Sequence, residues 1–197
     1  MSNCGDPKDI NIHRRRILIN TTTAMGAIGI VGACTPFVRS CSPSEKAKAA
    51  SSPITQDIST LEAGKMMVVE WQSKPVYIIR RTDEMLQSLA LNNSKLRDAA
   101  SNESNQPDYA KNEYRSRDPH LLVMVGVCTH LGCAPGFRPE TNAAGLGANW
   151  AGGFLCPCHG SKYDLAGRVF EGSPAPLNME IPKYKLIGNV LTIGEDT

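Results

Sequence analysis

Two short stretches decide how this chain is read: CTHLGC, Cys128 to Cys133, and CPCHGS, Cys156 to Ser161. The first sets Cys128 and His130 two residues apart, and the second sets Cys156 and His159 three apart. Each holds one further cysteine, Cys133 and Cys158, so the same ingredients recur in a different order. Two sulfurs and two nitrogens from two loops can bind zinc or a two-iron cluster. Structural zinc closes with four ligands and leaves no task for two more cysteines. An exported domain can oxidise such a surplus pair to a disulfide that ties the loops together.

Outward from these boxes, the 197-residue chain has room for one compact domain plus extras. A net charge of +2 gives no reason to expect a nucleic-acid partner. With 41% apolar and 6% aromatic residues there is little material for a large core, so a staple would help the fold. Part of the apolar content is concentrated near the N-terminus. Ile17 to Val38 carries no charged side chain, which matches the roughly 20 residues that cross a bilayer. Arg14, Arg15 and Arg16 precede it, so the positive-inside rule makes residues 1–16 a cytoplasmic arm and residues 17–38 a transmembrane anchor.

Two other N-terminal readings exist. The run RRRIL resembles a twin-arginine export signal, and VGAC ending at Cys34 weakly resembles a lipoprotein box. No A-x-A cleavage site follows, which favours a retained anchor. Residues 39–58 are rich in Ser, Ala, Pro and Lys and read as a hinge. The stretch from Pro43 to Asp57 would span up to about 50 Å extended and only about 22 Å as a helix.

Residues 59–197 form the outer domain, and its pattern is that of strands. KMMVVEWQ (Lys65 to Gln72) and PVYIIRR (Pro75 to Arg81) read as a hairpin across Ser73 and Lys74. HLLVMVGV (His120 to Val127) reads as a buried strand. EIPKYKLI and VLTI are joined by Gly188-Asn189, suited to a primed turn. Asp83 to Ala90 reads as a helix capped by Thr82. Asn92 to Pro119 is polar and irregular, an expected insertion with little core.

In a Rieske centre two histidines replace two cysteines on one iron of a [2Fe–2S] cluster, which lifts its potential to about −150 to +300 mV. The paired boxes, Tyr163 in GSKY, and Pro174-Ala175-Pro176 followed by LNMEIPKYKL together resemble the Rieske iron–sulfur subunits of cytochrome bc1 complexes. The resemblance covers the anchor, the hinge and nearly all of Met66 to Gly194. It implies a mainly β, antiparallel domain with a cluster-binding subdomain over about 126–176, preceded by one transmembrane helix. The implied cofactor is one [2Fe–2S] cluster, with Cys128 and Cys156 on the inner iron and His130 and His159 on the outer. Cys133 and Cys158 would form the disulfide.

By the same resemblance Ser161 donates to a bridging sulfide and Tyr163 to the Cys128 sulfur, both raising the potential. Gly132 and Gly160 allow sharp turns, and Leu131 shields the tip. Pro174 to Pro176 belong to a third covering loop, with Ser173 where glycine is common. The segment between the boxes, with Trp150, departs from the family pattern.

The implied activity is quinol oxidation. One electron and a coupled proton come from ubiquinol at His159, with His130 sharing the uptake, and the tethered head carries the electron to cytochrome c1. Implied partners are cytochrome b and cytochrome c1 in a dimeric complex. The implied location is a bacterial inner membrane, single-pass, with the C-terminal domain in the periplasm. A Rieske subunit of an exported arsenite-oxidase type, a soluble Rieske ferredoxin and a structural zinc-binding interaction module are the competing readings. The Pro-Ala-Pro loop, the long linker and the LNMEIPKY tail favour the first assignment. His13 and His120 read as ordinary surface residues, Cys4, Cys34 and Cys41 as free thiols, and Trp71 and Trp150 as packing residues.

Overall fold

A computed structural model of the chain describes residues 11–44, 48–49, 51–143, 145–147 and 150–195. It divides into two units, Met1–Lys48 and Ala49–Thr197. Residues 1–10 of the expected cytoplasmic arm, with Cys4, and residues 45–47 and 50 of the expected hinge lie outside the described residues.

The described residues of the first unit include a long helix, α1 (Ile12–Ser40). It begins where the Asn11 side chain accepts the Arg14 N–H at 3.1 Å, an N-cap that carries the helix through the three arginines. The helix is therefore longer than the apolar run, and its 29 residues extend about 43 Å. Thr21, Thr22 and Thr35 donate their hydroxyls to the carbonyls of Ile17, Leu18 and Val31, so these polar groups are satisfied inside the helix itself. Length and composition suffice to cross a membrane.

The second unit carries three antiparallel three-stranded sheets. Strand β1 (Ile54–Asp57) pairs with β9 (Val190–Ile193), which pairs with β8 (Tyr184–Ile187). Strands β2 (Met66–Trp71), β3 (Lys74–Arg80) and β4 (Leu121–Val125) form the second sheet. Strands β5 (Gly136–Arg138), β6 (Gly153–Leu155) and β7 (Lys162–Tyr163) form the third. One hydrophobic core joins all three: Ile78, Ile79 and Val123 from the second, Phe154 and Tyr163 from the third, Leu191 and Ile193 from the first. Each such fully buried aliphatic side chain contributes about 1.5–3 kcal/mol. Cys128 and Cys156 belong to this same core, so the functional loops grow directly out of packed structure.

Three expectations need correction. The hinge does not extend to residue 58, because Ile54–Asp57 is a strand and Ile58 is buried; Ile54 pairs with Ile193, far along the chain. The first hairpin turns at Gln72 and Ser73, not at Ser73 and Lys74, since Trp71 pairs with Lys74. Both turn residues have positive φ, 53° and 57°, the combination that matches the twist of the flanking strands. The helix α2 (Asp83–Asn92) is capped by Thr82 as expected, with Met85 N–H donating to its hydroxyl. The polar segment after α2, however, is no coreless insertion. Leu96, Ser101, Ala110, Arg115 and Ser116 are all buried in it.

Three fully buried arginines explain this. Arg168 pairs with Asp164 at 2.8 Å, and also donates to the carbonyls of Leu89 and Ala99. Arg115 donates to the carbonyls of Ala166, Gly167 and Met179. Arg81 reaches the carbonyls of Leu165, Tyr114 and Pro119. Burial pulls the Arg81 and Arg115 guanidinium groups down to about 10, while the Asp164 charge pulls them up. All three converge on Asp164–Arg168, the loop that directly follows Tyr163. Buried charge is tolerated here because backbone carbonyls and one carboxylate satisfy it.

Candidate metal centre

The two cysteine–histidine loops are built alike. In the first, Cys128 N–H donates to the Cys133 carbonyl at 2.8 Å and Gly132 N–H to the Cys128 carbonyl at 3.0 Å. In the second, Cys156 N–H donates to the Ser161 carbonyl at 2.8 Å and Gly160 N–H to the Cys156 carbonyl at 3.0 Å. Gly132 and Gly160, at the equivalent turn, have φ of 83° and 74°, where a side chain would be strained. Superposed by these bonds, His130 matches Cys158, Leu131 matches His159, and Cys133 matches Ser161. The differing Cys-to-His spacings thus put the two imidazoles at adjacent positions of equivalent loops.

The rings of His130 and His159 meet edge to face, with centroids 4.8 Å apart and planes at 88°. His159 is exposed and His130 half-buried. Below them Cys128 and Cys156 are each 2% exposed and neither forms a disulfide. Cys133 and Cys158 are disulfide-bonded, with Cα atoms 6.6 Å apart, and so lock one loop to the other. The sulfurs of Cys133, Cys156 and Cys158 also lie within 4.8 Å of one another, but the disulfide consumes two of them, so that trio is no ligand set. Leu131 stands 71% exposed beside the histidines.

Hydroxyl groups surround the buried sulfurs. Tyr163 Oη lies 3.1 Å from Cys128 Sγ and accepts the Thr129 N–H at 3.2 Å. An N–H can only donate, so the phenolic proton is left for the sulfur or for Thr129 Oγ1 at 3.4 Å, of which the sulfur is the nearer. Thr129 in turn donates its hydroxyl to the Leu177 carbonyl at 2.7 Å. Ser161 is fully buried, and its Oγ accepts the Ala175 N–H at 3.1 Å. Burial would raise the Cys128 thiol, but hydrogen bonds from Tyr163, the His130 backbone, Cys156 and, least, Ser161 outweigh it and hold the thiol below its ordinary range. Cys156 goes the other way: burial and the neighbouring Cys128 push it up. Burial and the Cys128 contact also raise the Tyr163 phenol, keeping it a proton donor.

A third loop covers the site. In it Ala175 is buried, while Pro174 and Pro176 face outward. Ser173 Oγ accepts the Lys162 N–H at 3.1 Å. Gly153, on β6, lies where an added Cβ would sit 2.0 Å from the Tyr163 carbonyl oxygen, so β6 passes against β7 only because it has no side chain there. Trp150 is buried and donates to the Arg138 carbonyl, in keeping with a packing role. Sequence reasoning missed Arg81, Arg97, Arg115, Asp164 and Arg168 as site supports. The compact run DLAGR, Asp164 to Arg168, was the available signal.

Residues 97–185 match the Rieske [2Fe–2S] domain. The chain is 49% identical over 188 residues to the ubiquinol–cytochrome c reductase iron–sulfur subunit of Allochromatium vinosum, covering 95% of this chain and 91% of that protein. The chain belongs to this family of iron–sulfur subunits. The same-named subunit of Rickettsia conorii is 37% identical over 190 residues, covering 96% of this chain and 97% of the relative. A solved structure titled "Hyperthermophilic respiratory Complex III" is 31% identical, covers 87% of this chain and 96% of its own, and has a TM-score of 0.45.

The family's cofactor is one Rieske [2Fe–2S] cluster. The donors fit it: two buried, disulfide-free sulfurs and two facing imidazoles supply the mixed set such a centre needs.

Proposed function

We propose that Cys128 and Cys156 hold one iron of the cluster and His130 and His159 the other, and that this head carries electrons from ubiquinol to cytochrome c1. The observation that carries this reading is the pair of edge-to-face imidazoles, centroids 4.8 Å apart, at a tip whose floor is two buried thiols. When bound, the cluster supplies a one-electron couple whose potential is lifted by its two neutral nitrogen ligands.

The chain's own residues do the rest. His159 is the more exposed imidazole and accepts the hydrogen bond of the quinol hydroxyl, so that the proton leaves with the electron. His130, in ring contact with it, shares the uptake, and the two act as a pair. Exposed Leu131 gives the tip an apolar face for entering a quinol pocket formed with cytochrome b. The Cys133–Cys158 disulfide fixes the spacing of the two loops. Tyr163 and Ser161 direct protons toward the sulfurs and so favour the reduced state.

Helix α1 anchors the chain in a bacterial inner membrane, with the arginine-flanked end in the cytoplasm and the head in the periplasm, in a dimeric complex. The stretch between α1 and β1 tethers the head and lets it travel between its quinol and cytochrome c1 positions. Replacement of His159 by Ala tests the assignment in membranes carrying the whole complex. The expected result is loss of both the paramagnetic signal of the reduced cluster and ubiquinol-dependent cytochrome c reduction. Retention of both would overturn it. Co-purification with b- and c-type haem is expected, and its absence would favour another exported Rieske enzyme.

A further inference from the structure

Arg97 lies in the polar segment after α2, outside the cysteine–histidine loops, yet its guanidinium is spent entirely on the third loop. Its Nη1 donates to the carbonyl oxygens of Ala175 and Pro176 at 3.0 and 3.3 Å, and its Nη2 to that of Ser173 at 3.1 Å. Among the described residues no carboxylate takes part; a charged fork grips three carbonyls, those of Ser173, Ala175 and Pro176, in a segment assigned to neither strand nor helix. The backbone of Arg97 is itself pinned, its N–H donating to the Val169 carbonyl at 3.1 Å. The clamp therefore joins the loop to rigid structure.

The gripped loop touches the site at two points. Ala175 N–H donates to Ser161 Oγ at 3.1 Å, and Ser173 Oγ accepts the N–H of Lys162, the residue between Ser161 and Tyr163. A serine oxygen that receives an N–H on one side turns its own proton to the other. Ser161 is fully buried and its own carbonyl holds the N–H of buried Cys156 at 2.8 Å, so on the ligand reading above that other side is the sulfur floor.

We propose that Arg97 is a positioning residue for the metal centre: it latches the Ser173–Pro176 loop so that Ala175 N–H orients the Ser161 hydroxyl toward the sulfurs. This rests on the reading that Cys128, His130, Cys156 and His159 hold the cluster. Arg97 is exposed, so its replacement removes the latch without opening the core. Ser173, standing where glycine is common in the family, makes a second latch of the same loop.

The test is a redox titration, followed by electron paramagnetic resonance, of the full chain in its native complex. Wild type, Ser161→Ala, Arg97→Gln, Arg97→Lys and the double variant Ser161→Ala/Arg97→Gln are compared. The expected pattern is a lower midpoint potential in Ser161→Ala and in Arg97→Gln, with signal amplitude kept. Arg97→Lys should fall between wild type and Arg97→Gln, because lysine keeps the charge and loses the fork. The double variant should match Ser161→Ala alone, since both changes act through one hydroxyl. Amide hydrogen exchange at Ala175 should quicken in Arg97→Gln.

A wild-type potential in Arg97→Gln overturns the latch. So does a potential in Arg97→Lys equal to wild type, which assigns the effect to charge, or fully additive shifts in the double variant. An unchanged potential in Ser161→Ala also overturns it, while leaving the ligand assignment standing. Should Arg97→Gln leave no signal, Arg97→Lys decides by the same criterion. Absence of the signal from wild-type membranes would instead remove the ligand assignment, and this inference with it.

Discussion

The Tyr163 hydroxyl lies 3.1 Å from the Cys128 sulfur, with its oxygen already occupied by the Thr129 N–H. The sulfur is the nearer acceptor for the phenolic proton, ahead of Thr129 Oγ1 at 3.4 Å, and the bond stabilises negative charge on that sulfur. Reduction adds such charge, so the contact is stronger in the reduced state. Tyr163→Phe should leave the cluster bound and lower its midpoint potential. A differential hydrogen-bond strength of about 1 kcal/mol corresponds to roughly 40 mV for a one-electron couple. An unchanged potential in a redox titration would contradict the role.

The disulfide joins Cys133 to Cys158 across a sequence separation of 25. Chain entropy alone makes that worth about 3.5 kcal/mol. Cys133→Ser/Cys158→Ser should lower the thermal midpoint and release iron faster under dilution, as measured by calorimetry and iron analysis. Equal stability and equal iron retention would show that the core by itself holds the loops in place.

The Asp164 carboxylate is fully buried and accepts from Arg168 Nε and from the backbone N–H groups of Ala166 and Arg168. Asp164→Asn strands a buried guanidinium, a loss of about 3–5 kcal/mol. The thermal midpoint should drop sharply. Replacing Asp164 and Arg168 together by apolar residues should cost less than Asp164→Asn alone if the penalty is unpaired charge, and a larger cost would refute that cause.

Because Ile54–Asp57 is a strand, the proposed tether is confined to residues 41–53. Several prolines placed there should slow steady-state cytochrome c reduction and leave the cluster spectrum normal. The same prolines in Ile54–Asp57 should instead destabilise the head, since they remove ladder hydrogen bonds to β9. Normal turnover in the tether variant would contradict movement of the head.

Features set by neighbours in sequence were legible before any coordinates. The cysteine–histidine boxes, the Thr82 cap and the Gly188-Asn189 hairpin are all local, and their residue types carry their geometry. What escaped was non-local and polar. Arg97 finds its carbonyl partners 76 to 79 residues away, and Arg115 reaches Met179 across 64. Charge in a sequence normally signals exposure, and nothing in the run from Asn92 to Pro119 shows that backbone carbonyls will accept it. Strand β1 escaped for a related reason. ITQD is short, follows a Ser- and Pro-rich stretch, and becomes a strand only through β9, more than a hundred residues later.

One measurement bears most directly on the claim that two thiolates and two imidazoles share a two-iron centre at the head's tip. Membranes carrying the intact complex are reduced with dithionite and studied by electron paramagnetic resonance with electron–nuclear double resonance, alongside iron and acid-labile sulfide analysis. The account predicts a Rieske signal with hyperfine coupling to two imidazole nitrogens, lost in His130→Ala and in His159→Ala. A silent spectrum, or a signal without nitrogen coupling, would contradict it.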